Sequence, residues 1–293
     1  MIVSASRRTD IPAYYGRWFL RRLHESFCEV PNPFNPRQIS RVGLGVGEVE
    51  AFVFWSKNPR PFFPVLDALD ALGHRYYFQF TLNPYGSRFE PHLPPVEERI
   101  ETLLALSARL GPKRVVWRYD PIVLSLETPV TFHEEAFGSM AERLRGATVR
   151  AMTSLLTRYR KTDRRLAQLE GFQLGAAEPS SPEVARLLES MNRSAAEAGI
   201  ELLSCAGALP STRTGRCVDP LLVRELWGVA ASVRKDSGQR AACGCAVSRD
   251  IGVNDTCLHG CRYCYATRSH ALAEKRRAAH DPLAPMLFDP RGA

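Results

Sequence analysis

The chain has 293 residues, 45% hydrophobic and 24% charged, with a formal net charge of +8. That size and balance allow a sizeable buried core and exclude disorder as the default state. No run approaches the ~18–20 uninterrupted apolar residues of a membrane span, and Met1-Ile2-Val3-Ser4-Ala5 enters a strand rather than a charged-then-apolar leader, so a cytoplasmic protein with no membrane partner is expected.

Short runs of β-branched and aromatic residues alternate with segments of helical period, the pattern of a parallel sheet covered by helices. A strand at 2–5 leads to a helix at 14–26. Cys28, alone after that helix, reads as a small core residue. The Pro-, Asn- and Gly-rich stretch before Glu48 reads as a surface loop. Within it, Gly43-Leu44-Gly45-Val46-Gly47 lacks the lysine and the strand-to-helix setting of a phosphate loop and reads as a flexible connection. Strands then follow at 51–55, 76–82, 114–119, 148–153 and 200–204, with helices at 62–72, 96–110, 131–144, 163–169 and 182–198. In Ser180-Ser181-Pro182-Glu183 a serine can cap the exposed amides, and proline suits the first turn. About six such units predict an α/β fold, an incomplete parallel β/α barrel of partial TIM-like type over residues 1–230. A cysteine-rich metal-binding module at 231–270 and a C-terminal helix and tail at 271–293 complete the expected organisation.

Each strand ends in polar residues: Arg7, Arg8 and Asp10; Lys57 and Asn58; Thr81 and Asn83; Arg118 and Asp120; Ser154, Tyr159 and Lys161; then Cys205. In parallel barrels the active site is assembled from these ends. Tyr77, Gln79, Thr81 and Asn83 alternate onto one side of their strand, where they either meet a polar ligand or tie neighbouring strands together. Arg118 suits a carboxylate and Asp120 an ammonium, unless the two simply pair with each other. Asp10 and Lys57 carry the same ambiguity.

Eight cysteines without an export signal argue for metal or catalytic thiols rather than a disulfide framework. Seven fall between Cys205 and Cys264. The run Cys257-Leu258-His259-Gly260-Cys261-Arg262-Tyr263-Cys264-Tyr265-Ala266 has C-x3-C-x2-C spacing. Three thiolates so placed can hold three corners of a 4Fe-4S cluster and leave one iron open to a small molecule, with structural zinc as the competing occupant. His259 reads as a hydrogen-bonding neighbour of the ligands or an exposed residue. Tyr263 and Tyr265 either exclude water from a cluster edge or anchor the loop. Cys205, Cys217, Cys243 and Cys245 make the four ligands of a closed site, for a second iron-sulfur cluster or a zinc. Alternatively, one of them completes the first cluster, which would make the protein an electron carrier or a structural metalloprotein.

The three-cysteine loop, with its aromatic just before the third cysteine, resembles that of the radical S-adenosylmethionine enzymes. The resemblance implies S-adenosylmethionine on the open iron, reductive cleavage to a radical that takes hydrogen from a substrate, and an electron donor such as a flavodoxin or ferredoxin. In that superfamily the loop usually follows the first barrel strand, whereas here it lies close to the carboxyl end. The strand-end residues Arg7, Asp10, Lys57, Gln79, Thr81, Asn83, Arg118 and Asp120, together with Tyr263, are then the candidate cofactor contacts. No residue is assigned a catalytic role, and the substrate is not named by any motif.

The whole chain is similar to the family of domain of unknown function 1848. The shared segments are Ser4-Ala5-Ser6-Arg7-Arg8-Thr9-Asp10-Ile11-Pro12, Phe54-Trp55-Ser56-Lys57-Asn58-Pro59, Phe78-Gln79-Phe80-Thr81-Leu82-Asn83-Pro84-Tyr85-Gly86, Trp117-Arg118-Tyr119-Asp120-Pro121 and the cysteine-rich close. That resemblance supplies no reaction. The opposed reading is a non-catalytic module, stabilised by zinc or a cluster, that binds nucleic acid. The 34 Arg and 5 Lys are spread over the full length without a concentrated stripe, which does not favour a nucleic-acid partner.

Overall fold

The computed structural model describes residues 1–175, 178–207 and 209–292. Among the described residues there are ten strands: β1 (Ile2–Ala5), β2 (Phe27–Pro31), β3 (Ile39–Gly43), β4 (Ala51–Ser56), β5 (Tyr76–Thr81), β6 (Val115–Ile122), β7 (Arg150–Leu155), β8 (Glu201–Ser204), β9 (Arg213–Thr214) and β10 (Ser248–Asp250). The helices are α1 (Ile11–Tyr14), α2 (Gly16–Glu25), α3 (Phe63–Ala71), α4 (Val96–Leu110), α5 (Val130–Arg143), α6 (Arg160–Leu166), α7 (Pro182–Glu197), α8 (Pro220–Trp227) and α9 (His270–Ala278). No helix among the described residues is long and apolar enough to cross a membrane.

Eight strands form one α/β sheet in the order β10-β1-β4-β5-β6-β7-β8-β9, every neighbouring pair parallel. Both faces are buried, which is why the strands read as nearly continuous apolar runs. One face carries Phe54, Phe78, Trp117 and Leu202 against Phe19, Leu66, Leu103, Phe137 and Leu187 of the helices. The opposite face carries Ile2, Val53, Tyr77, Val116, Met152 and Leu203. These pack on Leu222 and Val223 of α8 and on Cys217, Cys243 and Cys245. The sequence segment set apart as a metal module therefore contributes a strand, β10, to the main sheet and part of the packing on its second face.

The six expected strands and six expected helices are all present, with shifts of up to three residues at their ends. α6 starts early, at Arg160, because the Thr162 hydroxyl accepts the Tyr159 amide and fixes the first turn. The stretch before Glu48 is not all loop. Ser26 stops α2 in the left-handed conformation (φ 61°), and the chain turns into the antiparallel hairpin of β2 and β3. Cys28 lies in β2 and is fully buried, and Arg41 stacks on Phe27 across the hairpin. The expected flexible connection begins as the last residue of β3.

Candidate functional site

The carboxyl ends of the parallel strands open into one cavity of about 370 Å³, and seven of the eight cysteines border it. Three come from the loop after β10 and four from the segments between β8 and β10. The cations Arg7, Lys57 and Arg118 and the carboxylates Asp10 and Asp120 also face it. Among the described residues no cysteine is in a disulfide.

The three-cysteine loop is held in place by its own polar residues. Gly260 adopts a left-handed φ of 68°, and a side chain there would meet His92 at 2.7 Å, so the tight return between Cys257 and Cys261 needs glycine. His259 is buried. Its Nε2 lies 2.7 Å from Asp10 Oδ2 and its Nδ1 2.8 Å from the Tyr14 hydroxyl. Asp10 also accepts the amides of Ala13 and Lys57, at 2.9 and 2.8 Å, and so joins the loop to the ends of β1 and β4. Tyr263 turns inward: its hydroxyl accepts from Lys57 Nζ at 2.9 Å and Asn83 Nδ2 at 3.0 Å and donates to Glu90. Glu90 is 1% exposed and sits between Lys57 at 2.7 Å and Arg99 at 3.1 Å.

Burial, helped by the Asp10 charge, pushes the Cys257 thiol well up. Burial also raises Cys261 to about 12, against the opposing pull of Lys57. Both thiols are neutral unless a cation compensates their ionised forms. Arg165 donates to the carbonyls of Cys264 and Thr267 and closes the loop from the α6 side.

The other four thiols gather on the second face of the sheet, Cys217, Cys243 and Cys245 in one buried cluster with Cys205 packed against it. The sulfurs of Cys205 and Cys217 are 3.5 Å apart. Arg118 Nη1 donates to the Cys217 sulfur at 2.6 Å, and the Val218 amide donates to the Cys245 sulfur at 3.4 Å.

Of the residues singled out from sequence, Arg7, Asp10, Lys57, Thr81, Arg118, Asp120, Tyr263 and all seven cysteines border the cavity. Gln79 and Asn83 stand behind its wall. Gln79 donates to the Cys217 carbonyl at 2.9 Å, whereas Asn83 donates to the Asp120 carbonyl at 3.0 Å and accepts its amide at 2.9 Å. Both tie backbone segments together. Arg118 and Asp120 pair with each other, and Ser154 donates to Asp120.

Four contributors escaped the sequence reading. Trp55 borders the cavity and lies under both Arg7 and Arg118, at 5.4 and 4.9 Å from its ring centre. Asp250 gathers four donors: the hydroxyls of Ser4 and Ser6 and the amides of Arg7 and Gly252. Glu90 and Arg99 complete the set. Glu90 comes from a connecting loop, where sequence gives no sign of burial, and only its place between aromatic Phe89 and Pro91 hints at an enclosed position.

A family model described as a domain of unknown function (DUF1848) matches residues 2–266. No curated protein matches the chain. Among solved structures, the chain is similar to the carboxyl transferase domain of Rhizobium etli pyruvate carboxylase, with a TM-score of 0.32 and 11% identity over 78% of this chain and 30% of that one. A variant of that domain solved with pyruvate gives a TM-score of 0.33 and 12% identity over 77% of this chain and 33% of that one. The chain thus spans a third or less of the length of the solved chains it resembles.

Proposed function

We propose, from the premise that the chain belongs to the DUF1848 family, that it is an iron-sulfur enzyme of radical S-adenosylmethionine type, with Cys257, Cys261 and Cys264 as ligands of a 4Fe-4S cluster. The observation that carries this reading is the position of β10. That strand lies parallel beside β1, Ile2 opposite Ser248 and Ser4 opposite Asp250, and leads directly into the cysteine loop. A loop that comes late in sequence therefore leaves the same edge of the sheet as the loops after β1 and β4. This is where a radical S-adenosylmethionine enzyme, whose loop follows the first strand, would have it. In this reading the sheet is an incomplete β/α barrel, with the cysteine-rich segment and α8 lying on its inner side.

The donor set fits the cluster. Three thiols outside any disulfide face one cavity, and Arg7, Lys57 and Arg118 face the same space and can offset the negative charge of thiolate ligands. Cys257, Cys261 and Cys264 would hold the cluster, which when reduced would supply the electron that cleaves S-adenosylmethionine. The chain's own residues bind and orient. Lys57 is fixed by Glu90 and Tyr263, which hold its side chain at the cavity wall. Arg118 and Asp120 already neutralise each other, and an amino acid end group would exchange that single ion pair for two. Trp55, flanked by two guanidinium groups, offers a flat apolar wall. The cavity volume lies within the ~300–1,000 Å³ of small-molecule sites. The electron would come from a flavodoxin- or ferredoxin-like donor.

The test is anaerobic reconstitution followed by iron and sulfide analysis and electron paramagnetic resonance of the reduced protein. The expected result is about four iron and four sulfide per chain at this site, a spectrum that shifts when S-adenosylmethionine is added, and formation of 5′-deoxyadenosine. Cys261→Ala should lose the cluster signal and keep its helical circular dichroism. Zinc in place of iron would instead support a binding module. A cluster whose spectrum ignores S-adenosylmethionine would support an electron carrier, and either result overturns the proposal.

A further inference from the structure

We infer that Cys205, Cys217, Cys243 and Cys245 form a second and separate metal site that takes one tetrahedral divalent ion of the zinc class, with all four positions filled by thiolate. The inference stands on different cysteines from the cluster reading and does not depend on it.

The four thiols come from three separate places in the chain: the end of β8, the loop before α8, and a C-x-C turn before β10. No local sequence constraint brings these segments together, yet all four thiols border the same cavity, three of them share one buried cluster with Cys205 packed against it, and the sulfurs of Cys205 and Cys217 lie 3.5 Å apart. Around a single zinc, with each sulfur about 2.3 Å from the metal, tetrahedral thiolates lie ~3.8 Å from one another. The 3.5 Å between Cys205 and Cys217 is close to that edge. A cubane core interposes its own irons and sulfides and holds its thiolates further apart, so the spacing favours a single ion over a second cluster. Among the described residues no three side chains converge as they stand on one metal-sized point. The four thiols therefore have to draw together when the ion binds.

The surroundings match what four thiolates need. Four sulfur charges around a divalent ion leave an excess of two negative charges, which outer-shell donors must offset. Arg118 donates to Cys217 and the Val218 amide to Cys245, while Arg7 borders the same cavity as both. The Cys217 backbone is fixed as well, its carbonyl accepting from the Tyr77 hydroxyl at 2.7 Å and Gln79 at 2.9 Å. This accounts for two of the polar residues on the inner row of β5. Cys217, Cys243 and Cys245 are buried beside Val218, Leu222, Val223 and Ala246, in the wall of the cavity. With all four positions filled by thiolate the ion keeps none for water or substrate, so the site is structural, and it would join the segment after β8 to the one before β10.

The test uses the full-length triple variant Cys257→Ser/Cys261→Ser/Cys264→Ser, which removes the cluster ligands. Elemental analysis should find about one zinc per chain, lost when Cys245→Ser is added. Cobalt substituted for zinc should give the ligand-field absorption of a tetrahedral thiolate. Because the quadruple variant can fail to fold, a second measurement uses the triple variant alone. Cys205, Cys217, Cys243 and Cys245 should resist alkylation, as read by peptide mass spectrometry, and become reactive once a strong chelator is added. In the wild-type protein, native mass spectrometry should show the zinc in addition to any cluster. Iron and sulfide retained by the triple variant, a Cys205–Cys217 disulfide, or thiols equally reactive with and without chelator would overturn the inference. Loss of iron from the wild-type site alone bears only on the cluster.

Discussion

Glu90→Gln isolates the charge that holds the three-cysteine loop against the sheet. The carboxylate serves two sides: Oε1 meets Lys57 Nζ at 2.7 Å and the Tyr263 hydroxyl, and Oε2 faces Arg99 Nη1 at 3.1 Å. A glutamine has one carbonyl oxygen, so whichever side keeps it, the other presents an amide donor to a donor. The Lys57 side chain, 15% exposed and bordering the cavity, can swing toward solvent, whereas Arg99 is 1% exposed and cannot. Removing one partner of such a buried pair costs about 3–5 kcal/mol, and the freedom of Lys57 puts the expected loss near the lower figure. The measurement is urea unfolding of metal-free protein, followed by tryptophan fluorescence and far-ultraviolet circular dichroism. The pH dependence has a definite sign. Burial alone would raise the Glu90 pKa, but Lys57 and Arg99 outweigh it and hold it below the ordinary 4.5. Below that value the unfolded chain takes up a proton that the folded one refuses, so wild-type stability falls with pH and the gap to Glu90→Gln narrows in acid. A variant within ~0.5 kcal/mol of wild type at pH 7, or a gap that stays constant down to acid, would refute the reasoning.

Two further outcomes follow from buried geometry. A side chain at Gly252 would stand 1.9 Å from the Ser6 hydroxyl, which is already committed to Asp250 at 2.7 Å and to the Arg8 amide at 2.8 Å. Gly252→Ala should therefore cost about 2 kcal/mol or more and lower the melting temperature by several degrees; an unchanged melting curve would show that the β1 loop yields freely. His133 is fully buried with Nε2 donating to the Val123 carbonyl and Nδ1 accepting from Tyr119, and burial lowers its pKa to about 4. Unfolding lets it take a proton below about 6.5, so wild-type stability should fall from there down to pH 4 by up to ~1.4 kcal/mol per unit from this residue. His74 and His280, also lowered by burial, add slope in the same direction, so the contribution of His133 is the part that disappears in His133→Gln. Equal slopes in the two proteins would remove it.

The six central strands were legible because a parallel sheet buried on both faces leaves an unmistakable trace: Tyr76-Tyr77-Phe78-Gln79-Phe80 has almost no exposed side to disguise it. α8 carried comparable signals that went unread. Asp219 caps it by accepting the Leu221 amide, Pro220 opens it, and Gly228 ends it in the left-handed region. β10 had none. Ser248-Arg249-Asp250 is three polar residues, and its strand character comes from pairing with β1 across more than two hundred residues of chain. Local propensity cannot report a partner that distant. The same limit applied at the site: the cysteines announced themselves by spacing, whereas Glu90, Arg99 and Asp250 matter only through what the fold sets beside them.

That distant pairing also explains how a loop near the end of the sequence can organise residues near its start. Asp250 takes the hydroxyls of Ser4 and Ser6 at 2.9 and 2.7 Å and the amide of Arg7 at 2.8 Å, so the turn that presents Arg7 to the cavity is shaped by β10. A few residues on, His259 reaches Asp10, and the Tyr265 hydroxyl donates to the Arg7 carbonyl at 3.1 Å. Three successive contacts thus run between the segment after β1 and the one that carries the cysteines. Any cation that draws Cys257, Cys261 and Cys264 together must stiffen Arg7 and Asp10 through these bonds. Arg7 and Asp10 are consequently not placed independently of the cysteine loop, because their placement and that of the loop are set by the same hydrogen bonds.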